Sequence, residues 1–311
     1  MTDQLSRATR AMPKKANVPT PRPMFNAPTH IPSHSAALHL WGDDEAGHVA
    51  DWIYASTQKV HHLVFSVAPG RAFRHSEDFR TIFAADEWLY VLSGTMVIVN
   101  PECGEVRRVR QGESVYFRRD TWHHAFSFDD DALKVLEFFA PPPAAGSSST
   151  YARAQPYLAA SKYDDDRWRG RWPESRVDRE AVATLHVLQD DDALWALDGD
   201  RAMIGTQVST DHLTAGFIDM RPAGITMARS HGGDGALHVI SGDPFVLIES
   251  VDGGPVDGPR WFHLHPGDGF FLPEGCEYAL HNVNGHPAKI AFAVAPAWSP
   301  TSIRASEGDH R

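Results

Sequence analysis

The sequence predicts an all-β protein built as two β-barrels in tandem, joined by a short helical linker, and three observations carry that prediction. One frame is written twice: Glu87-Trp-Leu-Tyr-Val-Leu-Ser-Gly94, a hairpin and Gly112-Glu-Ser-Val-Tyr-Phe117 return as Gly235-Ala-Leu-His-Val-Ile-Ser-Gly242, a longer hairpin and Gly267-Asp-Gly-Phe-Phe-Leu272. A repeat of that length marks two units rather than one mixed domain. Short β-branched and aromatic runs broken by Gly, Pro and Asn fill both copies, the pattern of antiparallel strands. The 311 residues are 42% hydrophobic, enough for two ordinary cores.

Each element follows in order. Residues 1–35 hold prolines at 13, 19, 21, 23, 28 and 32 and few large apolar side chains. They read as a flexible arm, because proline removes backbone donors and little surface can be buried. Residues 36–141 form the first barrel, with strands at His61–Val67, Glu87–Leu92, Thr95–Val99, Glu105–Val109, Ser114–Phe117 and Lys134–Phe139. Residues 142–182 open on Pro142-Pro-Ala-Ala-Gly146 and read as a linker with one short helix at Tyr151–Ser161, with Trp168 and Trp172 expected to dock on a barrel. Residues 183–298 are the second barrel, with strands from Ala183–Leu188 to Lys289–Val294, and 299–311 are a tail. The second copy's extra residues fall in the turn-rich hairpin Ser250–Pro259, where insertion costs little.

Charge and cysteine usage narrow the classes. A formal charge of −11 argues against nucleic acid and anionic membranes, which need a basic patch. Cys103 and Cys276 are the only cysteines, too few for a disulfide framework, and read as free thiols of a reducing compartment. No apolar run is long enough to span a bilayer and no signal-like segment opens the chain, so a cytoplasmic location is expected. No phosphate loop, Gly-x-Ser-x-Gly or His-Glu-x-x-His stands in the chain. The expected partners are a small-molecule substrate and a second copy of the chain, in a homodimer made through edge strands and the arm.

The repeated frame resembles the cupin superfamily, and the whole chain resembles a bicupin. The family's first motif runs Gly, His-x-His, Glu, Gly, and its second runs Gly, Pro-x-Gly, His, Asn. Alternation along a strand puts residues i and i+2 on one face, so His-x-His sends two imidazoles into the barrel, where Glu and the later His complete a site for a divalent metal. Glu87 and His123 stand at the family's spacing from Gly94 and Gly112, while Arg118 and Asp120 replace the motif's Pro and Gly. The His-x-His is absent at its usual distance. Placing the first copy's extra residues at Phe79–Asp86 sets His75 opposite Arg229 and Glu77 opposite His231. The resemblance then implies metal ligands His75, Glu87 and His123 with Glu77 as a fourth, and His124 as the alternative to His123 if the register slips by one. Substrate contacts are expected from Arg118, Tyr90, Phe117 and whichever of His61 and His62 faces inward, taken as His62. The second copy offers Arg229, His231, Gly235 and Tyr278 at the same positions and is expected to hold no metal, even with His238 and His281 nearby.

The resemblance implies a metal-dependent enzyme. An Fe(II) dioxygenase acting on an aromatic or keto or hydroxy acid is the leading expectation, with Mn, Ni or Zn as other metals. A metal-dependent lyase, decarboxylase or isomerase, in which the ion acts as a Lewis acid without oxygen, is the alternative. A binding bicupin without activity is the third class.

Overall fold

The structure, a computed structural model, describes residues 20–141, 150–164 and 180–296. The first half runs β1 (Thr29–Ile31), β2 (Ala37–Asp43), β3 (Gly47–Ser56), β4 (His61–Val67), β5 (Ala72–Phe73), β6 (Asp86–Ser93), β7 (Thr95–Asn100), β8 (Glu105–Arg110), β9 (Ser114–Phe117), β10 (His124–Ser127) and β11 (Leu133–Ala140). Helix α1 (Thr150–Ala154) follows. The second half runs β12 (His186–Leu188), β13 (Leu194–Leu197), β14 (Asp200–Ser209), β15 (Thr214–Ile225), β16 (Asp234–Ser241), β17 (Phe245–Val251), β18 (Trp261–His263), β19 (Gly269–Leu272), β20 (Cys276–Asn282) and β21 (Ala288–Ala295). The paired strands are antiparallel throughout, as short hairpin connections require.

The first barrel closes a seven-stranded sheet, β12-β9-β6-β11-β4-β3-β2, against a four-stranded one, β5-β10-β7-β8. The second is one ten-stranded sheet that turns its corner at β15: Thr214–Met220 pair with β21 and Gly224–Ile225 pair with β20. Each barrel borrows a strand from outside its own half. β1 pairs with β19 of the second barrel, Thr29 opposite Phe271, and β12 pairs with β9 of the first, His186 opposite Tyr116. The exchange covers two edges that would otherwise offer unpaired backbone groups.

Two of the sequence expectations change here. The arm is not loose to residue 35: β1 is a sheet strand on the chain's own second barrel, and Ser56 N bonds Pro23 O at 2.7 Å. The second barrel does not begin at 183, since Thr184 N and Oγ1 bond Glu105 Oε2 at 2.8 and 2.7 Å and β12 extends the first barrel. Composition marked the arm as a weak former and Ala183–Leu188 as a strand of the second barrel; in both stretches backbone groups are satisfied by the other barrel, which local pattern does not reveal. Residues 1–19, Trp168, Trp172 and the tail at 299–311 lie outside the described residues. Among the described residues no helix is long and apolar enough to cross a membrane. Cys103 is exposed, Cys276 buried, and both are free.

Three apolar layers hold the halves. Each barrel has an interior core, the first around Leu89, Val91, Met96 and Phe117 and the second around Leu237, Phe270, Leu280 and Phe292. Between them a third layer joins outward-facing Trp88, Tyr90 and Phe138 to Phe217, Ala215 and Phe271. This explains the unbroken apolar run in β6: Glu87, Leu89 and Val91 face the barrel interior, and Trp88 and Tyr90 face the neighbouring barrel instead of water. Trp88 lies 5.4 Å from the Phe217 ring and donates Nε1–H to Gln207 Oε1 at 3.1 Å. A Trp88→Ala variant is expected to lose about 3–5 kcal/mol in urea denaturation. Because its side chain points away from Glu87, the cavity described next should keep its ligand affinity per folded molecule.

Candidate active site in the first barrel

Strand alternation and one crossing segment build a cavity of about 60 Å³ inside the first barrel. On that measure a water needs roughly 10–15 Å³, so there is room for a few waters or one small molecule. Its walls are mostly aromatic and aliphatic, among them Leu63, Phe65, Phe73, Phe83 and Phe139. Set into them are Asp51 from β3, His61 from β4, Thr81 from the loop before β6, His123 from the end of the loop before β10, and Glu137 from β11. Glu87 of β6 is fully buried beside them, with Oε2 3.9 Å from His123 Nε2.

Burial of three carboxyls in an apolar wall sets the electrostatics. Asp51 is pushed up to about 8 by desolvation, against a hydrogen bond from Trp41 that lowers it. The Glu87 and Glu137 carboxyls are in hydrogen-bond contact, and both are raised, first by burial. For Glu87 the neighbouring Glu137 charge adds to that; for Glu137 the contact with Glu87 works against it and the Asp51 charge adds to it. Burial of two neighbouring carboxyls in a dry site favours their neutral forms, because ionising both there is costly. The histidines go the other way: burial lowers His123 to about 4 and His61 to about 3, so both rings are neutral at pH 7. Nδ1–H of His123 donates to Thr121 O at 3.2 Å, which leaves the Nε2 lone pair facing Glu87. Rings of Phe117, Phe83 and Phe73, at 4.7, 5.7 and 6.4 Å, wall the imidazole in.

The mouth is crossed by the segment expected to be loose. Thr20 and Arg22 line the cavity; Arg22 donates Nε–H to Ser56 Oγ at 3.2 Å and Nη2–H to Thr57 O at 2.8 Å. Among the described residues Arg22 is the cation of the cavity wall, and its charge helps keep His61 neutral.

The structure brings together Glu87 and His123 of the expected ligands and separates the others. His75 lies outside the cavity lining: Nδ1 meets His124 Nε2 at 2.5 Å and Nε2–H donates to Leu158 O at 2.6 Å. With Tyr163 on His124 Nδ1 and Arg80 Nη1 on the carbonyls of Ala152, Arg153 and Gln155, these histidines pin the α1 segment to the barrel's outside. Glu77 is an exposed loop carboxylate. The backbone shows why the alignment misled. In the second barrel Gly275 N bonds His231 O and Tyr278 N bonds Arg229 O; in the first, Asp120 N bonds Phe83 O and His123 N bonds Thr81 O. Thr81 and Phe83, not His75 and Glu77, therefore occupy the His-x-His positions, and the extra residues lie before them. Asp120 even keeps the left-handed turn of Gly275, φ 66° against 75°, with its carboxylate bonded by Tyr151.

Of the expected substrate contacts, His62 and Tyr90 face the layer between barrels. His62 stacks on Tyr54 at 4.6 Å and bonds His238 at 3.2 Å, so its neighbour His61 is the inward one. Phe117 is buried behind His123, and Arg118 is exposed, 3.9 Å from Asp86. Sequence reasoning missed Asp51, Thr81, Glu137 and Arg22. For Glu137 a signal existed: a lone carboxylate in Leu133-Lys-Val-Leu-Glu-Phe-Phe-Ala140 is costly inside a strand unless it has work there.

The divalent ion that the resemblance implies can be tested on these donors. Glu87 Oε2 is buried without a hydrogen-bond partner and faces the free lone pair of His123, whose other nitrogen is fixed by Thr121. This is the arrangement that a ligating histidine adopts, and the pair fits a divalent ion, with Glu137 the adjoining carboxylate. Thr81 and Phe83 add no comparable donor, so the remaining coordination positions fall to water or a bound acid. In the second barrel Arg229 is paired with Asp198 and His231 bonds Tyr278 Oη at 3.1 Å, and a Cβ on Gly235 would lie 3.2 Å from Leu272.

Comparison with known proteins agrees with this fold. A family described as Cupin domain matches residues 65–139. No curated protein matches the chain. Among solved structures, a single-substitution mutant of Bacillus subtilis oxalate decarboxylase superposes with a TM-score of 0.60 at 13% identity, over 89% of this chain and 79% of that one. The formate complex of Lactobacillus farciminis oxalate decarboxylase gives 0.58 at 12%, over 92% of each. The fold is a tandem of two cupin-type jelly-roll barrels.

Proposed function

We propose that the first barrel is the active site of a lyase that decarboxylates a small organic acid with the help of a divalent cation held by Glu87 and His123. The observation that supports this most is the buried Glu137 carboxyl, which burial pushes up to about 8, set in the same apolar cavity as the Glu87–His123 pair. Decarboxylation needs a proton donor inside a dry cavity at neutral pH, and Glu137 is placed to be one. The similar solved structures, oxalate decarboxylases, also favour this class over the oxygenase expected from the family motifs.

A bound cation supplies electron withdrawal from the acid's oxygens. The chain's residues do the rest. Arg22 at the mouth pairs with the substrate carboxylate, and the Thr81 hydroxyl, which is buried and without a partner, is available to donate a hydrogen bond. The apolar walls keep water from competing for the proton. When the carbon–carbon bond breaks, its electron pair stays on the substrate carbon, carbon dioxide leaves, and Glu137 gives that carbon a proton. Glu137, then a carboxylate, is reprotonated from solvent, with Asp51 as the nearest acidic relay. The carboxylate-rich donor set favours a hard ion such as Mn²⁺ or Fe²⁺.

Oxalate, the acid named in the similar structures, is small enough to assay first, followed by other short keto and hydroxy acids. Carbon dioxide release without oxygen uptake, dependent on added Mn²⁺ or Fe²⁺, is the expected result. Oxygen consumption matched to product would restore the oxygenase reading, and no turnover of any acid would leave a binding protein. Replacing Arg22 with Met should raise KM about 10–100-fold with a smaller effect on kcat, the size expected for losing one charged hydrogen bond to the substrate.

A further inference from the structure

We propose that the outer face of the second barrel carries a separate binding site for a divalent transition-metal ion, with Asp243, His263 and His265 as its ligands. One donor atom of each lies within 4.8 Å of the others, and among the described residues no other group of three His, Cys, Asp or Glu converges this closely. The cavity of the first barrel is not part of it.

The geometry is locked by groups that do not bind the ion. Leu264, between the two histidines, is fully buried in the second core, so alternation turns His263 and His265 outward together. Leu264 N bonds Pro244 O at 2.9 Å, which ties this strand end to the turn carrying Asp243, and Asn284 Nδ2 donates to Asp243 O at 2.8 Å. The His263 ring lies flat on Phe245, centroids 4.3 Å apart at 5°. His265 Nδ1 is 3.6 Å from Asp268 Oδ2, a charge contact beyond hydrogen-bond length that draws the ring toward this carboxylate. Asp268 is itself fixed, accepting from His265 N, Ser33 N and His30 Nε2. A histidine pair placed on a surface by chance carries no such scaffolding.

Two imidazoles and one carboxylate suit Zn²⁺, Ni²⁺ or Cu²⁺ better than Mg²⁺ or Ca²⁺. Three ligands on an open face leave positions for water or for a donor from another molecule.

The test is calorimetric titration of Zn²⁺ into the full-length chain carrying Glu87→Ala, which removes the first-barrel pair. One equivalent per chain is expected, weakened at least tenfold by His263→Ala or His265→Ala alone and lost in the double variant. Co²⁺ should give visible absorption bands that vanish with the same substitutions, and circular dichroism checks that each variant folds. Binding unchanged in the double variant, or no Zn²⁺ bound before it, would overturn the site. Either result leaves the first-barrel proposal standing, because that depends on Glu87 and Glu137.

Discussion

Glu137→Gln should fold normally and lose about 10²–10⁴ of kcat, the range for removing a positioned proton donor. The amide is isosteric and can still bond Glu87, so cavity shape and the Glu87–His123 pair survive; what disappears is the transferable proton. Metal content should be unchanged. Glu87→Gln should differ, losing both turnover and metal, because Glu87 Oε2 is the buried atom that faces His123 Nε2. His75→Ala should keep metal and turnover alike, since His75 bonds His124 and Leu158 O on the barrel's outside. Measuring metal and product release on the three variants separates a proton donor, a ligand and a bystander. Full activity in Glu137→Gln would remove the proposed chemistry, and metal lost from His75→Ala would restore the ligand set read from sequence.

Much of this architecture was legible in the sequence because strand pairing follows period-2 pattern and turn residues. His61–Val67 and Ser114–Phe117 agree to the residue, and Asp86–Ser93 and Leu133–Ala140 run only one residue or so beyond the predicted ends. What pattern could not reveal was pairing between distant segments. β1 and β12 are three residues each, and nothing local says that each belongs to the barrel built by the other half. The site shows the same limit. Glu87 and His123 were expected together because their spacing to glycine is fixed by the turns, and they lie 3.9 Å apart. His75 and Glu77 were misplaced because an insertion can fall on either side of a motif, and only the bonds from His123 N to Thr81 O and from Asp120 N to Phe83 O decide which. Tyr90 and His62 were assigned to the wrong face because a strand buried on both faces loses its polar alternation.

Thermal stability of the metal-free chain should fall as pH rises from about 7.5 to 8.5. Asp51 titrates at about 8 in the folded chain against an ordinary 3.8, and Glu87 and Glu137 shift in the same direction. Between those limits the folded state holds protons that the unfolded state has released, so stability declines with pH. The buried histidines act oppositely: His123 and His61 fall to about 4 and 3 from 6.5, and burial also lowers His39, His62, His75, His124, His238 and His281, so up to about pH 7.5 the unfolded chain binds more of these protons and their contribution rises with pH. The two slopes oppose one another until the histidines of the unfolded chain have released their protons, about one pH unit above 6.5, and beyond that the carboxyl slope remains. Each carboxyl contributes at most about 1.4 kcal/mol per pH unit. Asp51→Asn should flatten the decline, and added Mn²⁺ should offset it, because a cation beside Glu87 replaces the missing proton. A melting temperature that stays level across this window in the metal-free wild type would mean that the three carboxyls are already ionised, and Glu137 could not then serve as the acid.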